Sequence, residues 1–135
     1  MTNHTDSHDN NSRQPDIEVY IKDSSIDEII SWLKATFEAI TLPSKLDTAS
    51  INVICKHQNT DIPLTIYTGA AGKLYTSLWF QSAHTPWVSD LDCATALAES
   101  LDKEVRCATN SWEESQDADN EWWKVTKDNK TKVNW

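Results

Sequence analysis

The sequence predicts an α+β fold: a largely antiparallel sheet of six to seven strands with two helices packed on one face, in the order β-α-β-β-β-α-β-β-β. Three observations lead there. Two stretches carry apolar residues at helical spacing behind a capping residue. Most of the other structured stretches alternate apolar and polar side chains, the period of a half-buried strand. Short turns join most of these, which favours antiparallel neighbours over crossovers. The chain has 135 residues, and a single core is usual up to about 200. Residues 16–135 therefore read as one domain.

Residues 1–15 hold no large apolar side chain after Met1. They cannot bury enough surface to offset their ordering entropy, and they read as a disordered polar tail. His4 and His8 lie there beside Asp6 and Asp9, as expected of a solvated leader rather than a metal site. Ile17, Val19 and Ile21 then alternate with Glu18, Tyr20 and Lys22 as a first strand. Ser25 and Glu28 form a capping box, in which each side chain satisfies the other's backbone amide. Behind it Ile26, Ile29, Ile30, Leu33, Phe37 and Ile40 share one helical face, and Pro43 stops the helix.

Ile51, Val53, Cys55 and His57 alternate as a second strand, and Asn59 and Asp61 make the turn. Ile62, Leu64 and Ile66 form a third, with Pro63 near its start, where a missing donor is tolerable. Gly69 to Gly72 close a hairpin onto Leu74, Thr76, Leu78 and Phe80, with Tyr75, Ser77 and Trp79 on the reverse face. Residues 82–88 are loop. Ser89 caps a second helix with the stripe Leu91, Ala94, Leu97, Ala98 and Leu101, and Asp90 and Asp92 suit the positive end of its dipole. Val105 and Cys107 open a strand ending near Trp112. An acidic break follows, and the chain closes on a hairpin. In that hairpin Trp123 and Val125 share a face with Val133 and Trp135 across a turn at Lys127–Lys130.

Net charge is −9, which repels nucleic acid unless basic residues gather on one face. The N-terminus lacks a basic segment followed by an apolar one, and no run of about 18 apolar residues occurs, so neither export nor a membrane is expected. Three scattered cysteines make no disulfide framework and point to a reducing, cytoplasmic setting.

Motifs for chemistry are weak. The loop TGAAGKL has two residues between its glycines where a phosphate loop needs four, so it reads as a plain turn. The run Asp117, Asp119, Glu121 places Trp122 where a calcium loop requires Gly. Lysines interleaved with tryptophans near the C-terminus match a base-stacking pattern. The overall charge opposes that reading, and so does burial, since each indole buries about 200 Å². No catalytic residue, metal ligand or cofactor is expected. Cys55, His57, His84 and Cys93 are the residues from which a thiolate–imidazole pocket would be built, between the second helix and the sheet.

The helices cover the Ile/Leu/Val/Phe face of the sheet. Tyr20, Tyr67, Tyr75, Trp79 and Trp122 fall on the other face and form the candidate interaction surface, because aromatic anchors ringed by charge make binding hot spots. The expected function is therefore a non-enzymatic, small acidic interaction module. Its partner is a protein or a second copy of itself, with no nucleic acid and no membrane. Size, charge and layout give it the general profile of small acidic bacterial immunity and inhibitor proteins. The alternative is a small-molecule-binding protein or enzyme using the Cys/His pocket.

Overall fold

The computed structural model describes residues 13–45, 49–70, 74–109 and 121–134. Its elements are β1 (Ile17–Lys22), α1 (Ile26–Thr36), β2 (Ala39–Thr41), β3 (Ser50–His57), β4 (Thr60–Ala70), β5 (Tyr75–Phe80), α2 (Asp90–Leu101), β6 (Val105–Ala108), β7 (Glu121–Val125) and β8 (Lys130–Asn134). The fold is α+β. One eight-stranded antiparallel sheet runs β2-β3-β4-β5-β1-β6-β7-β8. Residues 1–12 of the expected polar tail at 1–15, Gly72, Trp112, the acidic run before Glu121, and Trp135 all lie outside the described residues.

Alternation in β1, β3, β4 and β5 delivers one apolar face. Ile17, Val19, Ile21, Val53, Cys55, Ile62, Leu64, Ile66, Leu78 and Phe80 are buried on it. Ile29, Trp32 and Leu33 of α1 and Cys93, Ala94, Leu97 and Ala98 of α2 join them in a single core. Ser25 accepts from the Glu28 amide while the Glu28 carboxylate accepts from the Ser25 amide, the reciprocal cap expected from the sequence. Ser89 accepts from the Asp92 amide at the start of α2. Asp102 closes α2 in the left-handed conformation, with φ 55°, a position usually given to glycine.

Three expectations need correction. The sheet has eight strands, because the first helix ends at Thr36 rather than running to Ile40. Phe37 is already extended (φ −106°, ψ 157°). Glu38 donates its amide to the Lys56 carbonyl, and Ala39–Thr41 pair with β3. Ile40 still packs against the core, now from a strand, so its helical spacing was coincidental. A three-residue strand is also too short for alternation to reveal.

Pro63 lies toward the start of β4, as its fourth residue of eleven. It sits inside β4, opposite Ile54. Its carbonyl accepts from the Gln81 amide at 2.8 Å. In a strand a residue's N–H and C=O point to the same neighbour, so the missing donor faces the place where β5 has just ended. Only the reciprocal bond to the Gln81 carbonyl, one residue past the end of β5, is forgone.

The last hairpin has a different register. Thr126 and Asn129 exchange backbone hydrogen bonds, so the loop is only Lys127–Asp128. An even-numbered loop pairs odd residues with even ones. Val133 therefore stands opposite Trp122, and Lys132 and Lys130 stand opposite Trp123 and Val125. Val133 lies on the helix-free face, not with Trp123. Leu74, expected inside, is more than half exposed.

Candidate functional site: the helix-free sheet face

Registers across the sheet place Tyr67, Ser77, Tyr20, Arg106 and Lys124 in one row, each directly opposite the next, on β4, β5, β1, β6 and β7. A neighbouring row runs Asn52, Thr65, Trp79 and Glu18. All of these belong to the face turned away from the helices. The five aromatic residues anticipated from sequence thus stand on one face, but they are not equivalent.

Tyr67 is the most open, at 44% exposure, and Ile54 on β3 follows at 39%. Tyr20 and Trp122 are half-buried and meet edge-on, with ring centroids 5.6 Å apart, an arrangement aromatic quadrupoles favour. Trp79 is half-buried and donates its indole N–H to Asp16 Oδ2 at 2.8 Å. Tyr75 is buried, at 6% exposure. Its hydroxyl donates to Glu104 Oε2 at 2.9 Å, and the Arg106 guanidinium lies 5.6 Å above its ring. Tyr20, Tyr75, Arg106 and Trp122 also make further contacts.

Charge on this face is locally paired. Arg106 Nε meets Glu104 Oε2 at 2.8 Å, and Lys22 approaches the same carboxylate at 4.0 Å. Burial by itself would raise the Glu104 carboxyl. The hydrogen bonds from Arg106 and Tyr75, with the nearby cations, outweigh it and hold the group below its ordinary value. Burial raises Tyr20, and the neighbouring Glu18 carboxylate adds to that. Glu18 is also raised, by burial first, with Asp16 adding and the Tyr20 hydrogen bond opposing. Asn52, Thr65 and Gln81 form a short chain of hydrogen bonds at 3.0 and 2.7 Å. Ser77 is the exception, with 3% exposure and no hydrogen-bond partner for Oγ among the described residues.

The alternative pocket is not assembled as expected. Cys55 and Cys93 are fully buried, and the contact between α2 and the sheet is solid packing. Cys55 on β3 is four strands from Cys107 on β6, about 19 Å at the usual strand spacing. Burial pushes the Cys55 and Cys107 thiols up to about 12, with the Asp90 charge adding at Cys107, and burial with the Asp90 charge holds Cys93 well above its ordinary value. Such thiols are poor nucleophiles. The two histidines do share a place: His57 and His84 line a cleft of about 440 Å³ at the other end of the sheet, with Arg13. Among the described residues no three His, Cys, Asp or Glu side chains converge as a metal site requires.

Sequence reasoning missed Arg13, assigned to the tail, and Ser77. Arg13 Nη1 donates to the carbonyls of Ala83, Thr85 and Trp87 at 2.8–3.0 Å. No local signal marks a contact that spans seventy residues. No family model matches the chain, nor does any curated protein or solved structure.

Proposed function

We propose that this chain is a non-enzymatic interaction module that binds a protein partner, or a second copy of itself, through the helix-free face of its sheet. The observation that carries the reading is the pairing of exposure with rigidity. Tyr67 and Ile54 stand open on that face. Around them Trp79, Tyr75 and Arg106 are fixed by hydrogen bonds to Asp16 and Glu104. Pre-set anchors lose little side-chain entropy on binding, and an aromatic centre with a polar rim is the usual anatomy of a binding hot spot. The strongly acidic chain favours a basic partner, since charge complementarity speeds encounter.

The variants that test this are Tyr67→Ala and Ile54→Ser, because Trp79 and Tyr75 also support the fold. Each is expected to leave unfolding free energy within about 0.5 kcal/mol of the parent. Together they should lower affinity for a captured partner, or dissociate a self-complex seen by light scattering, by at least roughly tenfold. Unchanged affinity and unchanged mass in the double variant would rule the face out.

A further inference from the structure

The geometry points to a second site, independent of the sheet face: we infer that the cleft around Arg13, His57 and His84 binds a small phosphate-type oxyanion. Two loops build it. One is the tip of the β3–β4 hairpin, where Gln58 and Asn59 both adopt positive φ, 51° and 64°, as a two-residue hairpin turn demands. The other is the loop after β5, which Arg13 holds by its three carbonyl contacts. Between them lies the cleft of about 440 Å³, within the size range of small-molecule sites, roughly 300–1,000 Å³.

Its lining is rich in donors. The side chains of Arg13, His57, Gln58 and His84 bring N–H donors, while the Thr60 and Thr85 hydroxyls are already spent on the Gln58 and Trp87 carbonyls, and no described lining residue is acidic. Arg13 spends one guanidinium nitrogen on backbone carbonyls. Among the described residues no carboxylate comes within ion-pair distance of it, although the chain carries 21 acidic residues against 12 basic ones. A guanidinium offers its donors in a planar fork matched to oxyanions, and each neutral imidazole adds one N–H. Glu38 brings an opposing charge to the hairpin tip. Its carboxylate already accepts from the amides of Gln58 and Asn59 at 2.8 and 3.3 Å, and so serves as the brace of the hairpin tip. His57 is steadied by the edge-on Phe37 ring, 6.3 Å away.

The test uses the full chain and inorganic phosphate, followed by the imidazole NMR signals of His57 and His84, with sodium chloride at matched ionic strength as control. Saturable shifts of both rings, absent with chloride, are expected. His84→Ala removes an exposed side chain and should leave the fold intact. It should weaken phosphate roughly ten- to a hundredfold, the loss of one hydrogen bond to a charged group. Arg13→Lys should weaken it about tenfold by removing the fork. Shifts no larger than those with chloride would overturn the inference. So would saturable binding that both variants leave unchanged, which would place the anion elsewhere. Neither result bears on the Tyr67 face.

Discussion

Asp90 shows how much one half-buried carboxylate can govern. It opens α2, accepts from the Glu18 amide at 2.9 Å and from the Gln14 side chain at 3.4 Å. Burial raises it to about 6 from an ordinary 3.8. Asp16 and Glu18 add to the rise, and the two hydrogen bonds oppose it. Between those values the unfolded chain has released the proton while the folded chain keeps it. Stability should therefore fall as pH rises from about 4 to about 6, and the loss persists above 6. Asp90→Asn keeps the acceptor for Glu18 and removes the charge. It is expected to stabilise the protein on the order of 2 kcal/mol at pH 7 and by almost nothing at pH 4. Urea denaturation at both pH values measures this, and a variant less stable than the parent at pH 7 would contradict it. The helix cap at Ser89 was legible because Ser, Asp and Asp at a helix start have local meaning. The partners Gln14 and Glu18 were not, because they come from another part of the chain.

Among the elements, the loop before α2 departs furthest from its reading as a connection. Trp87 is buried, stacked on Trp32 at 5.6 Å with the rings 10° from parallel. It also meets Phe80 at 5.2 Å and Phe37 edge-on at 5.9 Å. Thr85 Oγ1 donates to the Trp87 carbonyl and accepts from the Trp87 amide, closing the loop on itself. The loop thus plugs the core between α1 and the sheet. Trp87→Ala should cost about 3–5 kcal/mol, the usual range for emptying a buried aromatic site, read as a shift in the chemical denaturation midpoint. A loss under about 1 kcal/mol would mean the ring is dispensable. Trp32 escaped the helical stripe assigned from sequence because Ile, Leu and Phe alone defined that stripe. An indole on its flank is neutral in periodicity and decisive in packing.

For the whole molecule, the question is how an eight-stranded open sheet protects its two edges. β2 is three residues long. β8 carries Lys130 and Lys132, which the register turns toward the helix side, and the Lys132 ammonium lies 5.3 Å from the Trp123 ring. A short edge and charged, exposed lysines on an edge strand both discourage strand addition from another chain. Lys130→Val with Lys132→Val should remove that protection and promote edge-to-edge association, visible as concentration-dependent mass in light scattering. A mass identical to the parent's at high concentration would show that the lysines are not what guards the edge. Guarded edges accord with the proposal that the broad face, rather than an edge, is the binding surface. No helix among the described residues is long and apolar enough to cross a membrane.

By itself the sequence determined the α+β class, both helix caps and, in β1, β3 and β4, the division of residues between the two sheet faces. These follow from spacing along the chain, where period 2, period 3.6 and a capping residue are local facts. Tertiary structure alone decided the eighth strand, the place of Trp87 in the core, and the union of Arg13, His57 and His84 in one cleft. It also decided which of the five face aromatics is open. Each of those depends on groups brought together by chain reversal, and no periodicity records which distant segment will lie against which.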